Sequence, residues 1–149
     1  ERRALAAHAF SAMGIATGPA QQVGAGTVQP FQQGSIASSL SGTYSVRGTT
    51  ARVFTNSGGY TGPLCFPLES ERAVKDGFIQ TFQGGTTYVT PVSLAVTRGV
   101  LHREYMRRGG PEGSLGWPLA NETSGDGVWQ QRFQHGTIFL YSSGEVVVR

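Results

Sequence analysis

Side chains that could act as a nucleophile, a base or a metal ligand are scarce in this sequence. They are the three histidines and the single cysteine: His8, His102, His135 and Cys65. No histidine stands beside an acid or the cysteine at a metal-ligand spacing, and the sequence has neither a Gly-x-Ser-x-Gly nor a His-Glu-x-x-His motif. We therefore predict that the chain is not an enzyme, has no cofactor and holds no metal. The alternative is an enzyme in which Cys65 acts with a distant histidine.

A larger set of side chains could bind a ligand without changing it. Aromatic rings can stack on the C–H faces of sugars, and arginine and glutamate can hydrogen-bond polar ligands. The candidates are Phe66, Tyr88, Trp117, Trp129, Tyr141, Glu71, Glu122, Arg47, Arg98 and Arg149. Each also has a structural interpretation: the rings can fill a core or plug the contact between units, and the arginines can hold the glutamates in pairs that fix the geometry. Both interpretations stay open on the sequence alone.

The composition excludes several classes of protein. The chain has 149 residues, 38% hydrophobic and 14% charged, with 22 Gly and a net charge of +3. It is therefore not a disordered chain of low hydrophobicity and high charge, and its glycines lack the three-residue period of collagen. Its apolar runs fall far short of the ~18 residues of a transmembrane helix, so we predict no transmembrane segment. The basic residues form no cluster that recurs along the chain, so we predict no nucleic-acid partner.

The sequence repeats itself at an interval of 51 residues, which indicates a repeat protein. A Phe-Gln-x-Gly motif starts at Phe31, Phe82 and Phe133. The segment that starts at Leu64, Leu-x-x-Pro-Leu-x-x-Glu, recurs at Leu115. The three candidate arginines keep the same interval. We predict a single domain of residues 1–149 with three units: a degenerate unit at 1–63, a unit at 64–114 and a unit at 115–149 that lacks its helix.

Each unit is predicted to contain a β-hairpin, a short third strand and a helix, so the fold class is α+β. Alternating residues separated by a Gly-containing turn indicate the hairpins. The predicted hairpins are 27–31 with 35–38, 78–82 with 86–90, and 129–133 with 137–141; the third strands are 44–46, 94–97 and 146–148. Helices are predicted near 51–55 and 100–106, each ended by a Gly-Gly pair. The pairs Asp76-Gly77 and Asp126-Gly127 predict turns.

The N-terminal segment leaves two questions open. Residues 2–13 predict a helix, which could supply the helix that the third unit lacks and so close the three units into a ring. The first copy of the Leu-x-x-Pro loop is degenerate. Strict register aligns it at Met13-Gly14-Ile15-Ala16, whereas a deletion of about four residues would align Gly18-Pro19 instead.

The loop motifs resemble those of the LGFP repeat family. They are Leu64-Cys65-Phe66-Pro67 and Leu115-Gly116-Trp117-Pro118, each followed by an acid, an Asp-Gly pair and a Phe-Gln-x-Gly strand end. The resemblance covers roughly residues 58–149. Cys65 stands where the family has Gly, a residue that tolerates a positive φ far better.

The resemblance implies an exported actinobacterial protein located in the cell wall. LGFP repeats look like wall-association modules attached to mycoloyltransferases or peptidoglycan amidases. The predicted function is therefore a non-catalytic, secreted module that binds wall polysaccharide, arabinogalactan or peptidoglycan, through several weak contacts. The alternative is a protein-interaction or structural module that docks on a linked or separate envelope enzyme or assembly.

Overall fold

The computed structural model describes residues 13–149. The helix predicted over 2–13 lies outside these residues except for its last position. Ring closure by that helix therefore stays a prediction.

Three four-stranded antiparallel sheets follow one another along the described chain, and consecutive strands pair in each sheet. The first sheet contains β1 (Gln21–Val23), β2 (Gly26–Phe31), β3 (Gly34–Ser39) and β4 (Gly42–Arg47). The second contains β5 (Arg72–Val74), β6 (Gly77–Phe82), β7 (Gly85–Val89) and β8 (Leu94–Thr97). The third contains β9 (Thr123–Gly125), β10 (Val128–Phe133), β11 (Gly136–Tyr141) and β12 (Val146–Val148).

Two nine-residue helices in the described chain follow the first and second sheets: α1 (Gly48–Asn56) and α2 (Gly99–Arg107). Each helix buries one apolar face; Leu101 and Tyr105 form that face in α2. Each helix ends where the chain turns through a left-handed glycine, Gly58 at φ 111° and Gly109 at φ 100°. Short 3-10 turns follow at Gly59–Thr61 and Gly110–Glu112. The predicted α+β class is confirmed.

The prediction of three strands per unit is wrong, because each sheet begins with an additional strand of three residues. These strands are β1, β5 and β9, whose side chains are mostly exposed, so they lack the alternation that marked the other strands. The turn after each one holds a positive φ at the same repeat position: Gly24 at 57°, Lys75 at 53° and Asp126 at 53°. The predicted Asp-Gly turns are thus one residue out of register with each other, since Asp126 occupies the position of Lys75.

The strict alignment of the first loop is the correct one. In all three units the main chain of the Phe-Gln-x-Gly turn bonds back to the first residue of the loop motif. The three bonds are Gln33 N–H to Met13 O (2.9 Å), Gly84 N–H to Leu64 O (3.0 Å) and His135 N–H to Leu115 O (3.0 Å). Met13, Leu64 and Leu115 are 0%, 0% and 4% exposed. The first unit therefore has the same loop as the others, without a deletion.

The second residue of this loop motif has a left-handed backbone in every copy. The φ angles are 81° at Gly14, 63° at Cys65 and 74° at Gly116. Cys65 keeps the geometry of the motif, since the Gln83 side chain accepts the Phe66 N–H at 3.1 Å. The second copy therefore retains the turn at the cost of a backbone conformation that non-glycine residues rarely adopt.

The third residue of the loop motif is aromatic in the second and third units, Phe66 and Trp117. Each of these rings packs against a glycine of the preceding sheet. We call this contact between successive sheets a joint. A Cβ at Gly26 would lie 2.6 Å from the Phe66 ring, and a Cβ at Gly77 would lie 2.8 Å from the Trp117 ring. A residue larger than glycine at position 26 or 77 would therefore collide with the ring. Val128 stands at the matching position of the third sheet.

The helix of each unit also packs into the joint. The Phe54 ring of α1 stacks on Phe82 with centroids 4.7 Å apart, and the Tyr105 ring of α2 stacks on Phe133 at 4.4 Å. Both pairs lie in buried clusters that contain residues of two successive sheets. The units therefore share their cores and do not have separate ones, as expected when a short repeat cannot bury its apolar face alone.

At each joint a buried glutamine side chain donates hydrogen bonds to both of the neighbouring units. Gln80 Nε2 donates to Ser45 O on the edge strand β4 of the preceding sheet and to Glu69 O of its own loop, both at 3.0 Å. Gln131 Nε2 repeats this pattern with Val96 O on β8 (2.9 Å) and Ala120 O (2.8 Å). The two glutamines are 0% and 1% exposed. Each side chain therefore supplies a donor to a carbonyl on an edge strand, which has no further strand to pair with.

We predict that Gln80→Ala lowers the free energy of unfolding by about 2 kcal/mol, because two part-buried main-chain carbonyls lose their donor. Gln29 is the matched control. It occupies the same repeat position but, within residues 13–149, donates only to Gly18 O, at 3.4 Å, so Gln29→Ala should cost less than about 1 kcal/mol. Urea unfolding of both variants measures the difference; equal losses would contradict the role of the glutamine in the joint.

We expect Cys65→Gly to stabilise the protein by about 1 kcal/mol, because relief of the left-handed conformation outweighs the added chain entropy of glycine. Cys65→Ala removes the thiol but keeps a Cβ at φ 63°, so it should give no gain. Thermal unfolding of the two variants beside the parent protein tests the prediction. A gain in Cys65→Ala would show that the thiol, and not the backbone, is the source of strain.

Candidate ligand-binding clefts

Two cavities in the structure are copies of each other. The first cleft has a volume of about 430 Å³ and is lined by Gln33, Arg47, Gly48, Thr49, Thr50, Glu71, Phe78 and Val89. The second cleft has a volume of about 400 Å³ and is lined by Gly84, Arg98, Gly99, Val100, Leu101, Glu122, Trp129 and Leu140. Each residue of the second lies 51 positions after its counterpart in the first. Both volumes fall within the range of small-molecule sites.

Each cleft lies at a joint, and both neighbouring units contribute to it. The preceding unit supplies the arginine and the first turn of the helix; Arg98 directly follows β8, and Gly99, at φ 58°, turns the chain from strand to helix. The following unit supplies the glutamate from its loop and the aromatic from the second strand of its sheet. Either cleft is therefore complete only when two units are in contact.

The arginine and the glutamate face each other without forming a close hydrogen bond. Arg98 Nη2 lies 3.7 Å from Glu122 Oε2, and the two side chains are 40% and 27% exposed. This distance is too long for an N–H···O bond, and a pair this exposed contributes little to stability. Guanidinium donors and carboxylate oxygens consequently remain available to a ligand. Arg47 and Glu71 line the first cleft at the same positions.

A half-exposed aromatic ring forms one wall of each cleft. Trp129 is 39% exposed in the second cleft, and Phe78 is 45% exposed in the first. Phe78 is absent from the candidates taken from the sequence. The signal that could have found it is its position, 51 residues before Trp129 in a strand of the same register.

Three of the predicted aromatic candidates lie in the core. Phe66 and Trp117 are each 7% exposed and Tyr88 is 1% exposed. The Tyr88 ring meets the Tyr105 ring edge-on at 5.6 Å, and Thr97 Oγ1 donates to the Tyr88 hydroxyl at 3.1 Å. Burial raises the pKa of Tyr88 to about 12. These contacts agree with the structural interpretation of the three rings and leave them little surface for a ligand.

Arg149 is not the structural counterpart of Arg98, although their numbers differ by 51. Arg149 exchanges main-chain hydrogen bonds of 3.0 and 2.8 Å with Thr137. In the second sheet the residue that pairs with the matching Thr86 is Thr97. The loop before the last strand is one residue longer in the third sheet, which shifts the end of that strand by one position.

Arg149 and Tyr141, the remaining candidates, lie outside the linings of both clefts. The Arg149 guanidinium is 5.6 Å from the centroid of the Phe139 ring, a cation–π distance. The Tyr141 N–H donates to Glu145 O at 2.9 Å in the turn after β11. Of the ten candidate residues, the structure thus brings five into the clefts: Arg47, Glu71, Arg98, Glu122 and Trp129.

The architecture defines a class of protein: an α+β repeat module in which neighbouring units share a core and form a cleft at each joint. Residues 64–113 match the family model described as LGFP repeat. This match confirms, for residues 64–113, the resemblance seen in the motif at Leu64-Cys65-Phe66-Pro67. No curated protein matches the chain. Among residues 13–149, no helix is long and apolar enough to span a membrane.

The two tryptophans should differ in their access to solvent. Trp117→Phe leaves Trp129 as the reporter of the second cleft, and Trp129→Phe leaves the buried Trp117. Both substitutions install the residue type that the first copy has at that position, Phe66 or Phe78. We expect acrylamide to quench Trp129 several times more strongly than Trp117. Equal quenching would contradict the exposed ring in the cleft.

Proposed function

We propose that the chain is a non-catalytic cell-envelope module that holds wall polysaccharide in its two clefts. The observation that carries the proposal is the recurrence of one cleft, position by position, at both joints. An arginine, a glutamate and an exposed ring recur together in both clefts, and the exposure of the ring is not needed to pack the joint.

The side chains of the clefts suit a sugar better than they suit a reacting group. An exposed ring offers a flat apolar face to the C–H groups of a pyranose or furanose. Arg98 and Glu122 offer donors and acceptors on the adjacent wall, and their loose pairing lets them turn to sugar hydroxyls. Hydroxyl groups accept from a guanidinium and donate to a carboxylate.

Two weak sites on one module match a repetitive polymer. Each open cleft holds one or two sugar residues, so its intrinsic affinity is low. A polymer that engages both clefts gains from effective concentration, which can raise the overall affinity by about 10²–10⁴. The match of residues 64–113 to the LGFP repeat supports this setting. Through the resemblance we propose a secreted protein of the actinobacterial cell wall that binds arabinogalactan or peptidoglycan.

The division into units at 1–63, 64–114 and 115–149 belongs to the same proposal. It is supported by the presence of one sheet in each segment and by joints that repeat between them. Only two such joints lie in the described residues, so the module offers two clefts for its three sheets.

Co-sedimentation with purified wall polysaccharide tests the function. We expect Phe78→Ala and Trp129→Ala each to weaken retention by at least about tenfold, since each removes one arm of a bivalent contact. The double variant should fall to background. Leu40→Ala is the control, because Leu40 is fully exposed and lies away from both clefts. Retention of the double variant at the parent level would contradict the proposal.

One observation favours the second candidate, a module that docks on an envelope protein. Phe78, Val92, Leu94 and Leu119 are all exposed and line a single cavity of about 660 Å³ beside the first cleft. Exposed apolar groups gathered in this way often mark protein interfaces. Protease-treated wall separates the candidates: unchanged retention favours polysaccharide, and lost retention favours a protein partner.

A further inference from the structure

The two clefts share a frame but differ in their walls. The arginine, the glycine that begins the helix, the glutamate and an aromatic residue are common to both. Five positions differ between the first and second clefts: Gln33 and Gly84, Thr49 and Val100, Thr50 and Leu101, Phe78 and Trp129, and Val89 and Leu140.

Four of these differences make the second cleft more apolar; the fifth, Trp129 in place of Phe78, adds a larger ring with one N–H donor. Thr49 and Val100 have nearly the same shape and are both half-buried, but only threonine has a hydroxyl. Leu140 extends one carbon further than Val89, and the Trp129 ring is larger than that of Phe78. The second cleft therefore keeps the arginine and the glutamate but lacks the threonine hydroxyls and the glutamine amide of the first, so its wall is less polar.

These walls select different substituents on a sugar. A hydroxyl pressed against Val100 and Leu140 would lose its hydrogen bonds to water without gaining a partner. A methyl group at the same place would leave water for an apolar surface, which is favourable. In the first cleft the Thr49 hydroxyl and the Gln33 amide can both donate to and accept from a sugar hydroxyl.

We propose that the second cleft is specific for a sugar with an N-acetyl group, whereas the first takes a sugar with free hydroxyls. This inference rests on the proposed function, since it names the substituents that the two sites of one module recognise. The acetyl methyl contacts Val100 and Leu140, and the sugar ring lies on Trp129. The amide N–H donates to Glu122 and the amide oxygen accepts from Arg98. The module thereby distinguishes unlike residues of a mixed wall polymer.

The probes are two tetrasaccharides with the same β-1,4-linked backbone, one of N-acetylglucosamine and one of glucose. Backbone amide signals of Gly48 and Gly99 report the clefts separately in the unmodified protein, because one glycine lines each cleft. Burial of one methyl group corresponds to about a fourfold preference. We expect the Gly99 signal to titrate at least fourfold more tightly with the acetylated probe, and the Gly48 signal to show no such preference.

Exchange of the matched residues tests the cause. Val100→Thr should reduce the preference at Gly99 to less than about twofold, and Thr49→Val should create a preference for the acetylated probe at Gly48. Both variants change a half-buried side chain with little change in volume. Leu140→Val installs the residue of the first cleft and provides a second test at another position should Val100→Thr disturb the amide spectrum.

Three results would overturn the inference: equal titration of Gly99 by both probes, a preference that survives Val100→Thr and Leu140→Val, or no response of Gly99 to either probe. None of them decides the proposed function, which the sedimentation assay measures on the intact polymer. Retention on the wall without discrimination at Gly99 would overturn the inference alone. Loss of retention with purified polysaccharide would overturn the function as well.

Discussion

The contact between successive units depends on an aromatic ring that occupies the space where a glycine of the preceding sheet lacks a Cβ. Phe66 covers Gly26, and Trp117 covers Gly77. Because glycine leaves this space free, the loop of one unit can approach the sheet of the previous one closely. That approach brings the buried glutamine within 3.0 Å of a carbonyl on the neighbouring edge strand and places a glutamate and an aromatic residue opposite the arginine of the preceding unit. The shared core, the hydrogen bonds of the buried glutamine and the cleft at each joint therefore all depend on this one contact.

The two joints reach the same packing with different residues. In the first, Ala37 is small, and Tyr60 fills the space beside Phe66, with ring centroids 5.0 Å apart. In the second, the counterpart of Ala37 is Tyr88, which meets Trp117 at 6.2 Å. Pro111, buried and much smaller, replaces Tyr60. The large ring thus comes from the loop in one joint and from the sheet in the other. Such exchange preserves the volume of a core while the repeat diverges in sequence.

Much of the fold could be predicted from the sequence because its signals are local. Hairpins, third strands and helices follow from alternation, from helical spacing and from glycines that end each element. The short first strands could not be predicted, since three exposed residues show no period. The sequence could not show that Arg149 is shifted relative to Arg98. The extra loop residue changes which residues pair between the last two strands, but Arg149 still follows Arg98 by 51 positions.

The site was predicted only in part, because burial depends on contacts between distant units. Phe66 and Trp129 are both aromatic, yet one supports a joint and the other faces a cleft. The interval of 51 residues could reveal that Arg98 and Glu122 recur together. It could not reveal that the glutamate of one unit faces the arginine of the unit before, since that depends on how one sheet stacks on the next.

Val128 stands in the third sheet where the first two sheets have glycine, so the third sheet differs from the others as a surface for a following unit. Because a Cβ at Gly26 or Gly77 would lie 2.6 or 2.8 Å from the motif ring, a valine at the matching position leaves no room for a ring to seat on this sheet as Phe66 and Trp117 seat on theirs. In the first unit Ile15 holds the ring position and is 57% exposed, and within residues 13–149 Gln29 makes only its bond to Gly18 O. Within residues 13–149, the first and second sheets therefore offer a seat to the ring of a following unit, and the third does not. Anyone who joins copies into longer arrays after the third sheet should first replace Val128 with glycine.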